Sequence, residues 1–542
     1  MSESPPVATI TTPATSRKIN TRAAGVVGLA VMCSRILGLA RDQIFLALFG
    51  ADLKMDAFNA AFRIPNLLRD LFAEGALSTA FVTTFSKTIA LEGDGSAWRL
   101  ANKVATLAII VLSLCTLAGI VFAPQLVAIV AGGFPAEKEA LTVELARIMF
   151  PFIIVVSLAA LVMGMLNAKN VFGAPAMASS FFNLGSIVGG VVLGWWMDPH
   201  FGEKALVGLA LGTLIGGVLQ LLVQLPSLRR VGYRFRPDFD WKHKGVRQVL
   251  RLMGPAVVAA SAVQINVMIN GRFASSLPED GPVSWLTAGF RLMQLPLGLF
   301  GVAIGTVTLP LVSRSAASGN TAEFRSTLAH GMRLAFLLTI PSTVGLIVLA
   351  QPIISILYEH GKFTAYARVQ TAAALQYYAI GLAAYSGLKV LVPAFYALDK
   401  RRTPMYVSFA SVAINVLLNW MFTFRMNLGH RGLALSTGCT AIINFLVLYF
   451  LMRRETKLLE TRQMLWTLGK LAIAAALLGI VCWIGNAWLL AHWHGPNFAA
   501  RAAELALVIF VAGGVFFGSA LLLKVGELDD LSKLLKRRLR RS

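Results

Sequence analysis

VVGLAVMCSRILGLARDQIFLALFGADLKMDAFNAAFRIPNLLRDLFAEGALSTAFVTTFSK, residues 26–87, is apolar enough to lie in a membrane and yet carries Arg35, Arg41, Asp42, Asp56, Arg63, Arg69, Asp70 and Glu74. An ionisable side chain near a bilayer centre costs about 2.5–3.5 kcal/mol even on lenient insertion scales, so such groups face a wet cavity or a partner. The stretch therefore reads as the charged interior wall of a membrane protein, with arginine lining a cavity.

The rest of the chain agrees. Of its 542 residues 56% are hydrophobic and only 14% charged, against about 25% charged in a typical soluble domain. Apolar runs of roughly 18–25 residues, the length a bilayer core requires, recur from Val26 to Lys524, about fourteen in all. The expected fold is an all-α polytopic membrane protein with about 14 transmembrane helices. The formal charge of +23 does not indicate nucleic acid. Lys and Arg concentrate in alternate short connections, at Lys87 and Arg99, Lys169, Arg229 to Lys244, Lys400 to Arg402, Arg453 and Arg454, and the tail KRRLRR. The positive-inside rule makes that side cytoplasmic, with both termini inside and an even number of spans.

Several classes are excluded. Residues 1–20 are rich in Ser, Thr and Pro and lack the apolar core of a cleavable signal, so they read as a disordered cytoplasmic tail. The four cysteines lie in apolar runs without CxxC spacing, which gives no disulfide or metal site. No HExxH, GxSxG or P-loop occurs, so neither catalytic residues nor a cofactor is expected.

Single helices are expected over 55–91, 141–168, 283–315 and 367–398, with Pro65, Pro151, Pro255, Pro296, Pro341 and Pro393 as static kinks. Gly208, Gly212 and Gly216 form a small-residue stripe for close helix packing. The basic loop 229–247 divides the chain into an N-lobe (21–240, helices 1–6) and a C-lobe (241–455, helices 7–12). Two further helices (456–525) and a basic cytoplasmic tail (526–542) follow.

A shift of 228 residues lays AFRIPNLLRDLF, from Ala61, over GFRLMQLPLGLF, from Gly289, matching Phe62 with Phe290, Arg63 with Arg291, Leu67 with Leu295 and Phe72 with Phe300. Six helices separate the copies, so both cross the membrane in the same direction. Parallel repeats are related by an axis along the membrane normal, with a site between the halves near the midplane. That geometry aims Arg291 at the arginines of the first two helices.

On helical spacing Arg35 and Asp42 share one face, Arg63, Asp70 and Glu74 share a stripe, and Asn66 shares another with Arg69. The carboxylates Asp42, Asp56, Asp70 and Glu74 read as members of buried ion pairs. The arginines suit a pyrophosphate, because a guanidinium stays charged in low dielectric and donates paired hydrogen bonds to phosphate oxygens. A cationic substrate would instead call for unpaired carboxylates.

Residues 34–82, SRILGLARDQIFLALFGADLKMDAFNAAFRIPNLLRDLFAEGALSTAFV, closely resemble the opening of the MurJ/MviN family of bacterial lipid II flippases, and GVAIGTVTLPLVSRSAASGN (301–320) and YEHGKFT (358–364) are similar to its later signatures. The resemblance implies the multidrug/oligosaccharidyl-lipid/polysaccharide exporter fold, two pseudo-symmetric six-helix lobes around a cavity with the two C-terminal helices forming a lipid-tail groove. It implies transport of lipid II, the undecaprenyl-pyrophosphate-linked peptidoglycan precursor, across the bacterial inner membrane to the periplasmic leaflet by alternating access. Membrane lipids and the cell-wall synthesis machinery are the other partners it suggests. Its substrate-binding arginines map onto Arg35, Arg41, Arg69 and Arg291, with Asp42, Asp56, Arg63, Asn66, Asp70 and Glu74 as gate residues or structural ion pairs. Phe290 and Gln294 stand where the family is often acidic, which leaves Arg291 without those neighbours. A drug or cation exporter, an exporter of another polyprenyl-linked saccharide, and a non-transporting membrane scaffold are the alternatives.

Overall fold

The computed structural model describes residues 21–71, 77–490 and 498–528; Glu74, the N-terminal tail and the basic residues of the C-terminal tail lie outside them. Every regular element among the described residues is helical. In chain order they are α1 (Thr21–Phe49), α2 (Leu53–Arg69), α3 (Ser78–Glu92), α4 (Asp94–Val121), α5 (Ala123–Ala131), α6 (Ala136–Met149), α7 (Phe152–Ala168), α8 (Gly173–Met197), α9 (Glu203–Leu222) and α10 (Leu225–Arg230). The second half contains α11 (Lys244–Ser275), α12 (Pro282–Pro296), α13 (Ala303–Ala317), α14 (Thr321–Val348), α15 (Ala350–Tyr358), α16 (Ala365–Ala379), α17 (Leu382–Ala397), α18 (Arg402–Trp420), α19 (His430–Thr456), α20 (Thr461–Gly485) and α21 (Phe498–Leu522).

Nine helices among the described residues are long and apolar enough to cross a membrane, and three bent pairs raise the number to 12. The two charged spans, α1 and the α2–α3 pair, are additional to these, and the total is consistent with the expected fourteen. Two expected single helices are bent. The 141–168 helix bends by 40° between α6 and α7, where Pro151 follows the last turn of α6, and the 367–398 helix bends by 44° at Gly381. The expected 283–315 helix is one span, Pro282–Ala317, in which α12 continues into α13 through the π-helical stretch Leu297–Val302. In the expected 55–91 helix α2 ends at Arg69 and α3 begins at Ser78, with residues 72–76 outside the described ones.

α8 and α9 form the closest helix pair. A Cβ on Gly212 would lie 2.1 Å from the Gly190 amide nitrogen and one on Gly208 would lie 2.4 Å from that of Gly194. In lipid, where apolar burial gives no net drive, such backbone proximity supplies the packing that joins helices. The linker at 231–243 is strapped to α4. Lys103 bridges Asp238 and Asp240, Asn102 accepts from the Arg236 amide, and Tyr233 packs on Trp98. The Asp240 amide holds the Asp238 carboxyl below its ordinary range, and the Lys103 hydrogen bond does the same for Asp240. At the C-terminal end buried Arg333 of α14 binds Glu460 ahead of α20 and buried Glu527 beyond α21. That fork fixes the last two helices to the second half, and Glu527 and Leu528 are packed against it rather than belonging to a loose tail.

Gly212→Ala should force α8 and α9 apart and cost about 1–3 kcal/mol. The expected sign is a lower unfolding temperature in detergent, while Gly513→Ala, where an added Cβ meets nothing within 4 Å, should leave it unaltered.

Candidate functional site

Asp56 is fully buried on the first turn of α2. Its Oδ1 accepts from the Ser284 amide at 2.7 Å, and its Oδ2 accepts from the Gly281 amide at 2.9 Å and from Lys138 Nζ at 3.0 Å. Gly281 is the N-cap of α12 and Ser284 its third residue, so a carboxylate from the first half caps a helix of the second. The first residue of α12, Pro282, has no N–H to satisfy, and a negative group at a helix N-terminus is favourable. Asp56 and Ser284 are 228 residues apart, the same shift that aligns the two similar stretches of sequence. Lys138 also reaches Asp280 at 3.0 Å and lies over the Phe134 ring.

Around this clamp the two halves close one end of the bundle. Asn59 Nδ2 donates to Ser284 Oγ at 3.1 Å, and the buried Trp285 indole donates to the Ala51 carbonyl at 3.1 Å. On the other flank the YEHGKF loop grips the end of α1: the Lys362 amide donates to the Ala47 carbonyl, and its ammonium donates to the carbonyls of His200 and Phe201. Gly361, at φ +58°, lies so close to Ala47 that a Cβ would come within 2.3 Å of that carbonyl. At the opposite end the halves meet through α11, which packs on α3 and α4.

Between these ends lie two adjoining cavities of about 430 and 440 Å³. The first is charged, with Arg41, Asp42, Arg63, Asn66, Asp70 and Arg291 in its wall. Asp42 is held from both halves: Arg41 donates to Oδ1 at 3.1 Å and Arg291 donates to Oδ2. Arg41 also lies over the Phe182 ring. Arg63 bonds weakly to Thr287 at 3.5 Å, with its guanidinium against Gly271 of α11. Arg69 pairs with Asp70 at 2.6 Å, at the C-terminal end of α2.

The structure thus brings Arg41, Asp42, Arg63, Asn66, Asp70 and Arg291 together. Asp56 belongs to the seal, Arg69 is not in the wall and pairs with Asp70, and Arg35 is exposed against Gly298 between α12 and α13, also outside the wall. Two partners suggested by helical spacing differ: Asp42 turns to Arg41 and Arg291 rather than Arg35, and Asp70 turns to Arg69 rather than Arg63. Arg291, without acidic neighbours on its own helix, finds its acid on α1. Sequence reading passed over Lys138, which stands among glutamates in FPAEKEA and looks like loop punctuation. The signal was Asp56 itself, an acid in an apolar helix that required a cation.

The family model described as "Lipid II flippase MurJ" matches residues 45–503. The chain belongs to the lipid II flippase MurJ family. It is 35% identical over 496 residues to the "Lipid II flippase MurJ" of Burkholderia cenocepacia, covering 90% of this chain and 94% of that one. A "Probable lipid II flippase MurJ" of Buchnera aphidicola is 33% identical over 490 residues, with the same coverage. Among solved structures, "Lipid II flippase MurJ, inward closed conformation" aligns with a TM-score of 0.74 at 25% identity, covering 92% of this chain and 99% of that one. An inward-facing MATE family transporter of the MOP superfamily aligns with a TM-score of 0.64 at 16% identity, covering 80% of this chain and 98% of that one, and shares the fold. MurJ membership and the apolar spans make this a multi-pass bacterial membrane protein of the transporter class.

Removing one partner of a buried pair costs about 3–5 kcal/mol. Asp56→Ala should therefore loosen the seal. In a background lacking the four native cysteines, a cysteine at Asn59 is expected to react with a membrane-impermeant thiol reagent much faster in the Asp56→Ala protein. Equal protection in both would show that the seal does not depend on Asp56.

Proposed function

We propose that this chain carries lipid II from the cytoplasmic to the periplasmic leaflet of the bacterial inner membrane by alternating access, with the pyrophosphate taken by the cavity arginines. The observation that carries the reading is the pairing of Arg41 and Arg291, from opposite halves, on the single carboxylate of Asp42, with Arg63 in the same wall. A pyrophosphate presents the acceptors this set is built for, and it would exchange with Asp42 for the two guanidinium groups. Arg69 beside Asp70 and Arg35 at the α1 contact with Gly298 would meet the substrate on its way in.

The termini and the basic loops are cytoplasmic in this reading, so the sealed end faces the periplasm and the cavity is filled from the cytoplasmic side. Residues 21–240 and 241–455 act as two lobes rocking about the repeat axis, and the helices after 456 hold the polyprenyl tail in a groove. Release requires Asp56 to give up the α12 N-terminus. A carrier of organic cations would need free carboxylates in this wall, whereas both oxygens of Asp42 are occupied by arginine.

A hydrogen bond to a charged group is worth about 1.5–3 kcal/mol, so each guanidinium removed should slow substrate loading about tenfold or more. The triple variant R41Q/R63Q/R291Q, reconstituted in proteoliposomes at the wild-type level, is expected to lose lipid II translocation. Translocation at the wild-type rate by that variant would overturn the proposal.

A further inference from the structure

Arg41 and Asp42 are consecutive on α1, and consecutive side chains of a helix do not face each other. Arg41 therefore turns aside to put Nε and Nη2 on Oδ1 of Asp42, at 3.3 and 3.1 Å. Arg291 and Arg69 act on it with like charge. A guanidinium drawn aside in this way needs support on its other face, and the ring of Phe182 from α8 supplies it, with the centroid 5.5 Å from Arg41 Cζ. Phe182 does not line the charged cavity, whereas Arg41 does. The ring thus stands behind the arginine, out of reach of a ligand in the cavity.

The ring is itself held in place. It packs on Phe152 of α7 with 5.7 Å between centroids, and Phe152 packs on Phe62 of α2 at 5.4 Å. The next residue, Asn183, donates from Nδ2 to the Ser34 carbonyl of α1 at 3.0 Å. On the far side of α8 a Cβ on Gly185 would come within 2.9 Å of Gly216 Cα in α9. These elements all belong to the first half of the chain, so Phe182 keeps its place beside Arg41 when the halves move. Arg291 is held differently. It comes from the second half, lies over no ring among the described residues, and has a side chain 36% exposed against 13% for Arg41.

The two partners of Arg41 also differ in what they consume. A carboxylate takes the same N–H groups that a phosphate would take. A π-face attracts the cation without occupying any of them. Of the two, only the ring can persist while an anion replaces Asp42.

We propose that Phe182 is a positioning residue for anion capture: its ring holds the Arg41 guanidinium in the cavity wall while Asp42 is exchanged for pyrophosphate. Arg41 is the fixed side of the clamp, and Arg291 is the side that moves with the second half. The assignment rests on the pyrophosphate reading above, and the ring acts only through Arg41.

The test is a double-variant cycle on the binding of lipid II to the full-length protein in nanodiscs. Phe182→Leu removes the π-face, keeps apolar bulk behind Arg41, and should weaken binding about three- to thirtyfold. Phe182→Met should do the same if the leucine variant folds poorly, and Phe182→Tyr, which keeps the ring, should bind as the wild type does. In an Arg41→Gln background Phe182→Leu should cause no further loss, an outcome that a merely structural role would not give. Unchanged affinity in the leucine and methionine variants, a tyrosine variant as weak as the leucine one, or the same fold loss with and without Arg41 overturns the positioning role; the pyrophosphate reading then stands if Arg41→Gln alone binds weakly. If Arg41→Gln binds lipid II as tightly as the wild type, the pyrophosphate reading falls and the role of Phe182 falls with it.

Discussion

A buried carboxylate whose partners come from three elements organises this molecule. Asp56 cannot be taken out of water without compensation, and it receives an ammonium from α6 and two backbone amides from the start of α12. Because those amides belong to α12, satisfying Asp56 holds α2 and α12 together at one end of the bundle. That contact sets everything below it. It seats Asn59 on Ser284 and brings Arg63 and Arg291 into the wall of one cavity. The Gly361 and Lys362 clasp on Ala47 closes the same end from the other flank.

Below the seal the distribution of charge determines what can be held. Guanidinium groups from both halves converge on Asp42, so the resting cavity is partly neutralised and its arginines are oriented before any ligand arrives. That arrangement makes exchange feasible: a phosphate oxygen replaces a carboxylate oxygen and the arginines never lose a partner in low dielectric. The neighbouring space has the opposite character, polar and without charge beyond the shared wall. The glycine seam of α8 and α9 and the Arg333 fork to Glu460 and Glu527 are scaffolding for this centre, one fixing the first half and the other the C-terminal helices.

Much of this was legible in the sequence. Apolar run length showed the spans, and the 228-residue shift anticipated the convergence of Arg291 with the first two helices. Residue types alone showed Arg41 and Asp42 as cavity groups. What escaped was non-local. Helical spacing suggested partners on the same helix, Arg35 for Asp42 and Arg63 for Asp70, whereas adjacent and cross-bundle arginines took those places. Lys138 was invisible because its partner lies 82 residues away and its own surroundings are polar. The π-helical stretch at 297–302 carries no residue that dictates it: Pro296 ends α12 and the span continues. Arg35 fits the charge pattern of the stretch and shares a face of α1 with Asp42, but its guanidinium lies against Gly298 rather than in the cavity wall.

The central claim is that the cavity empties through the end sealed by Asp56. Asn59 and Ser284 touch across that seal, and cysteines in their places, in a protein stripped of its native cysteines, would lock the two halves by a disulfide. Lipid II translocation in proteoliposomes is predicted to stop on oxidation and to resume on reduction. Translocation at an undiminished rate with the disulfide formed would contradict the account.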